Sequence, residues 1–154
     1  MKRRGSPVVL FALCLGLLSC LISALPLEAS DIIHRRLSLF EVRDLLRTEG
    51  YQTDLDAGND VCHFKMMGYS VQMFVADGGE SIQFHCGWAD TDATLRSVNA
   101  WNEGMRFSRA YIDSDGDPHL ELDLDLAGGV TRARVIDFLT TCRISLERFV
   151  KEVL

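Results

Sequence analysis

The chemistry available to this 154-residue chain rests on four histidines, His34, His63, His85 and His119, two of which sit beside cysteines as Cys62-His63 and His85-Cys86. Two Cys-His pairs have the composition of a zinc set, which needs four donors about 2.0 to 2.3 Å from one metal. On a strand, however, neighbouring residues point to opposite faces, so each pair offers one ligand to a face. The strand-like run Ser70 to Val75 also lies between them, a separation of about 9.6 Å, twice the interstrand spacing. A Cys62–Cys86 disulfide meets the same obstacle, because its Cα atoms must lie within about 7 Å. Asp113, Asp115 and Asp117 alternate around Gly116 as calcium ligands would, but Pro118 and Leu124 stand where an EF-hand loop needs Gly and Glu. A hairpin turn rich in Asp and Gly is the simpler reading. There is no G-x-S-x-G elbow, no phosphate-cradling glycine loop and no H-E-x-x-H. No catalytic residue, cofactor or metal ligand is therefore assigned. A hydrolase-type enzyme would have to gather dispersed His and acidic residues, and a small-ligand or lipid binder would need an apolar cavity.

One surface does stand out. Glu121, Asp123 and Asp125 alternate with Leu120, Leu122, Leu124 and Leu126, the pattern of a strand with one buried and one wet face. A paired strand would set Phe107, Arg109 and Tyr111 beside those carboxylates. With Ile112 opposite Leu120, Arg109 faces Asp123 and Tyr111 faces Glu121, each pair contributing about 0.2–1 kcal/mol. Aromatics, Arg and carboxylates on one face suit a protein partner, either another protein or a second copy. A one-residue slip would reverse the facing.

The elements that must position these groups are read from periodicity. Ser38 with Glu41 forms a capping box, and Leu39, Val42, Leu45 and Leu46 predict a helix from about Leu39 to Glu49, ended by Gly50. Tyr51 to Asp56 is irregular chain or a short strand. Val61–Met66, Ser70–Val75 and Ser81–Cys86 read as antiparallel strands, because the breaks between them are short. Thr91 or Asp92 caps a second helix with Leu95, Val98, Trp101 and Met105 on one face. In it Trp101 is a core anchor, and Asn99 and Asn102 cap or bridge backbone near its end. Phe107–Asp113 and Leu120–Leu126 form a hairpin. Gly128-Gly129 then releases a last helix, about Thr131 to Glu152, with Val135, Leu139, Cys142, Leu146, Phe149 and Val153 as its stripe. The fold class is α+β, an antiparallel sheet in the order α-β-β-β(-β)-α-β-β-α, with helices mainly on one face.

Residues 1–29 read as a cleaved signal peptide. Lys2, Arg3 and Arg4 precede an apolar stretch from Val8 to about Ile22, and small residues follow. Cleavage after Ala29 competes with cleavage after Ala24. Leu17-Leu18-Ser19-Cys20 resembles a lipoprotein box, so Cys20 is an alternative lipid anchor, although the residues after it stay apolar. An uncleaved anchor is disfavoured by the shortness of the stretch. The expected location is thus the periplasm or the exterior, with residues 30–154 as one domain. Removal of residues 1–29 takes the net charge from −6 to −8. Either value disfavours a nucleic-acid binder that relies on a basic face. Cys62, Cys86 and Cys142 remain, an odd number that permits at most one internal disulfide.

Val98-Asn99-Ala100-Trp101-Asn102, the run Arg106-Phe107-Ser108-Arg109-Ala110-Tyr111, Asp115-Gly116, Leu120-Glu121-Leu122-Asp123-Leu124 and Gly128-Gly129-Val130-Thr131 together resemble the YbjN family. The resemblance implies a fold like that of type III secretion chaperones and a role in bacterial sensory transduction. It supplies no catalytic residues. The expected function is a non-catalytic protein-binding or regulatory module of the bacterial envelope, linked to stress or sensory signalling.

Overall fold

The computed structural model describes residues 32–154; the expected signal peptide, with Cys14 and the alternative lipid anchor Cys20, lies outside them. Six strands form one antiparallel sheet. They are β2 (Thr53–Asp56), β3 (Val61–Met66), β4 (Tyr69–Ala76), β5 (Ser81–Gly87), β6 (Arg109–Ile112) and β7 (Pro118–Asp125), in the spatial order β2-β3-β4-β5-β7-β6. A second sheet of two short strands pairs β1 (Ile33–His34) with β8 (Val130–Thr131). The three helices are α1 (Leu39–Thr48), α2 (Leu95–Gly104) and α3 (Arg132–Glu152). The α+β class and the expected element order hold. Tyr51–Asp56 resolves into two residues of irregular chain followed by β2, and the β1–β8 pair is an addition to the expected elements.

Strict alternation of side chains divides the large sheet into two chemically distinct faces. Cys62, Met73, Phe84 and Leu122 form one cross-strand rank of the inner face; Phe64, Val71, Cys86, Leu120 and Ala110 form the next. All are buried, and the helices cover them. α1 starts at the expected capping box, where Ser38 Oγ accepts from Glu41 N–H (3.3 Å) and Glu41 Oε2 accepts from Ser38 N–H (2.8 Å). Every residue of the expected α3 stripe is buried. Phe149 stands edge-on to Trp101 at 5.1 Å and stacks on Trp88 at 5.2 Å.

Two details of α2 differ from expectation. Its N-cap is Thr94, not Thr91 or Asp92, because Ser97 lies three residues on and completes the reciprocal cap: Ser97 N–H to Thr94 Oγ1 (3.1 Å) and Thr94 N–H to Ser97 Oγ (3.0 Å). Leu95 thus becomes the first helical residue and points outward, 74% exposed, leaving Val98 and Trp101 to bury the helix. Asn102 bridges backbone as expected, but that of strand β6: its side chain donates to Ala110 C=O (2.8 Å) and accepts from Ala110 N–H (2.9 Å). This blunts the outer edge of the sheet, which would otherwise offer unpaired backbone groups.

Candidate functional site

The outer face carries a rank that crosses all six strands: Asp54, His63, Gln72, His85, Glu121 and Arg109 stand side by side in register. The adjacent rank at one end includes Gly87, His119 and Tyr111. No described helix packs on this face. Between this face and the Gly50–Gln52 segment before β2 lies an open hollow of ≈ 860 Å³, whose lining includes Tyr51, Asp54, His63, Lys65, Gln72 and His85.

Around β5, β6 and β7 the polar groups converge. Arg109 donates through Nε to Glu121 Oε2 (3.0 Å) and makes a second contact with it through its terminal nitrogen. Tyr111 O–H donates to Glu121 Oε1 (3.1 Å). These partners cover Glu121, which is 6% exposed although it belongs to the polar series of β7. Both carboxylate oxygens are satisfied, which makes burial tolerable. The bond to Glu121 pushes the Arg109 pKa up, and burial followed by its own bond to Glu121 pushes the Tyr111 phenol up.

Beside this cluster, His85 and His119 meet. His85 Nε2 lies 2.9 Å from His119 Nδ1, His85 Nδ1 lies 2.8 Å from Gln72 Oε1, and His119 Nε2 lies 3.0 Å from Asp113 Oδ2. Tyr111 stacks on the His119 ring (4.8 Å, 9°), while His85 meets that ring edge to edge near its plane (5.1 Å between centroids, 27°). Gly87 leaves it room: a Cβ there would stand 2.8 Å from His119 Nδ1. Burial, and then the neighbouring His119, hold the His85 imidazole below the usual histidine range. Asp113 is held below the usual carboxylate range, first by Asp117 N–H and then by His119.

The expected face is thus present, with corrections. Ile112 pairs with Pro118 instead of Leu120, so Arg109 faces Glu121 and Tyr111 faces His119. The cause is the turn. Asp113 Oδ1 accepts from Asp115 N–H (3.0 Å) and Asp117 N–H (2.9 Å), and Asp113 N–H donates to Asp117 C=O (3.0 Å), closing a short loop that draws Pro118 into the strand. A shift of two residues keeps every side chain on its face. Phe107 lies off the sheet, in the turn after α2, with φ 68° and 72% exposed against Arg106. Asp123 and Asp125 remain on the outer face and exposed; Gln83 donates to Asp123 Oδ1 (2.8 Å). Asp113, one of the three alternating aspartates, serves the turn.

The cysteines face the other way. Cys62 and Cys86 sit on strands either side of β4, their thiols in the core and unpaired, while His63 and His85 are on the outer face. Burial pushes the Cys86 thiol up to about 12 and raises Cys62 and Cys142. Among the described residues no group of three or more His, Cys, Asp or Glu is placed to hold a metal ion. None of their helices is long and apolar enough to cross a membrane.

A six-stranded antiparallel sheet, roofed by three helices on one face and polar on the other, defines a two-layer α+β domain whose distinctive chemistry lies on an open sheet surface. The family model for YbjN, described as "Putative bacterial sensory transduction regulator", matches residues 38–154, and the chain belongs to this family. Among solved structures it is similar to that of YbjN, described as a putative transcription regulator, from E. coli. The two share 17% identity with a TM-score of 0.53, over 71% of this chain and 87% of that one. At that identity the likeness is one of fold. No curated protein matches the chain.

Proposed function

We propose that this protein is a non-catalytic protein-binding module of the bacterial envelope that acts in regulation through the outer face of its sheet. The observation that carries the reading is the six-strand polar rank with its hollow. The surface is broad and pre-formed, and its groups are largely hydrogen-bonded to one another, so it is organised to be recognised and not to react. Asp54, Asp123 and Asp125 are exposed there. Of the two side-chain cations, Arg109 is already committed to Glu121, leaving Lys65. The partner that fits is a protein segment carrying basic side chains. A second copy docked face to face would bring like charges together.

The test is affinity capture from envelope extract, comparing the wild-type protein with Asp54→Lys/Asp123→Lys and with Glu147→Lys, a charge reversal on α3. A partner lost at least about tenfold with the first variant and retained with the second supports the reading. Equal capture by all three sinks it. Export is tested by fractionation: the processed chain is expected in the envelope, and a full-length cytosolic chain would overturn that part. The meeting of His85, His119 and Asp113 favours an acid–base enzyme as a second reading. Against it, all four ring nitrogens are already engaged and no thiol reaches the face. Turnover of a screened ester or amide, abolished by His85→Gln, would establish it.

A further inference from the structure

The hydrogen-bond line Gln72–His85–His119–Asp113 can close with either of two proton counts. One end, Asp113, is a carboxylate acceptor; the other, the Gln72 amide, presents its carbonyl oxygen as placed and would present its –NH₂ donor in the same position if turned over. With the Gln72 carbonyl turned inward, His85 Nδ1 and His119 Nε2 each carry a hydrogen. With only those two hydrogens the inner nitrogens would meet lone pair to lone pair at 2.9 Å. One more proton between them closes the line, so this arrangement takes three hydrogens on four ring nitrogens, one more than two neutral imidazoles supply.

Take that proton away and the line can close only if one end becomes a donor. Asp113 cannot do this: it is a carboxylate, and its other oxygen is fixed by two backbone N–H groups. Gln72 can, by turning its amide so that Nε2 donates to His85 Nδ1. His85 Nε2–H then donates to His119 Nδ1, and His119 Nε2–H to Asp113. A second added proton has no place, because it would set two N–H groups head to head.

We propose that His85 and His119 form a one-proton switch at the edge of the outer hollow, whose state sets whether Gln72 offers a donor or an acceptor to the docked segment. Gln72 and His85 both line the hollow. With the proton bound, Gln72 turns its –NH₂ group outward beside a positive charge; without it, the carbonyl oxygen faces outward. The neutral state is therefore the one that receives basic side chains, and protonation releases them. That output rests on the docking reading above, whereas the switch itself does not.

The surrounding charges are few. Glu121 on β7 stands opposite His85, with its oxygens taken by Arg109 and Tyr111 of β6. His63 on β3 lies across Gln72, and Lys65 follows in the next outer rank. Asp113 closes the far end. On the inner face, the Cys86 thiol stays uncharged. Burial and His119 both lower the proton affinity of His85, in keeping with a limit of one proton for the pair.

Histidine side-chain ¹⁵N NMR between pH 8.5 and 4.5 tests the switch on the purified protein without any partner. The expected result is one uptake step seen by both rings, with a second uptake more than about tenfold weaker. Gln72→Glu fixes an acceptor at one end and should strengthen the first uptake about tenfold; Asp113→Asn should weaken it about tenfold. Should Asp113→Asn disturb its turn, Gln72→Glu alone decides, since it keeps the shape of the side chain. Two rings that titrate independently, or no response to Gln72→Glu, overturn the switch. Loss of capture by the aspartate reversals at neutral pH bears only on docking, so the two failures are distinguishable.

Discussion

Replacing Gly87 with alanine probes the histidine cluster with a single methyl group. The backbone of Gly87 is ordinary strand, so alanine by itself should stabilise by about 0.4–1 kcal/mol through the unfolded chain. The new Cβ, however, would lie 2.8 Å from His119 Nδ1 and 2.9 Å from Cε1. The ring cannot step aside, being stacked on Tyr111 and bonded at both nitrogens. Overpacking of this kind costs about 1–3 kcal/mol, and each hydrogen bond broken to relieve it about 0.5–1.5 kcal/mol more. The net expectation is a loss of about 1–3 kcal/mol, or roughly 4–12 °C in Tm for a domain of this size. Thermal unfolding followed by circular dichroism at pH 7.5 measures it. The double variant Gly87→Ala/His119→Ala removes the clash, so the cycle should show about 1–3 kcal/mol of compensating coupling. A Gly87→Ala protein as stable as the wild type, or an additive cycle, refutes the reasoning.

Four further outcomes are expected. Met67→Asn at the two-residue turn between β3 and β4, where Met67 has φ 54°, should raise stability by about 1 kcal/mol in urea titration, since asparagine tolerates the left-handed region. Asn102→Ala leaves both Ala110 backbone groups unpaired, costing about 1–3 kcal/mol, and light scattering should detect edge-to-edge association. Because the folded chain resists protonating His85, the unfolded chain binds more protons below about pH 6.5. Stability should therefore fall as pH drops through that value, with a further fall at lower pH as Asp113 and Glu41, both held below the usual range, are forced to protonate. Cys62, Cys86 and Cys142 should resist iodoacetamide at pH 8 until denaturant is added, as read by peptide mass mapping.

Local signals in the sequence were dependable where side-chain spacing alone decides the outcome. The Ser38–Glu41 cap, the Leu120–Leu126 alternation and the α3 stripe each depend on residues within a few positions of one another. The β6–β7 register failed by two because Asp113 pulls Asp115 and Asp117 into a tighter loop, a side-chain effect that strand periodicity does not contain. The meeting of His85 and His119 was invisible because β5 pairs with β7 across the intervening α2 and β6. Gly87 was the one signal that could have revealed it, since glycine inside a strand marks the close approach of another group. Phe107 was placed on the face by counting back from Tyr111, but its left-handed backbone ends the strand first. Strands of two residues, like β1 and β8, carry no periodicity to read.

The pairing of Ile33–His34 with Val130–Thr131 also has a bearing on how the molecule is made. α3, which covers part of the hydrophobic side of the sheet, follows every strand along the chain, and the first described strand waits for β8 just before it. Until α3 emerges, Phe84, Leu122 and their neighbours lack their cover. Such long-range closure slows folding and leaves a sticky surface open to nascent-chain helpers and to aggregation. A chain cut short before residue 132 would therefore lose Val135, Phe138, Leu139, Cys142, Leu146 and Phe149 from its core, and would be a substrate for proteolysis instead of a smaller working domain.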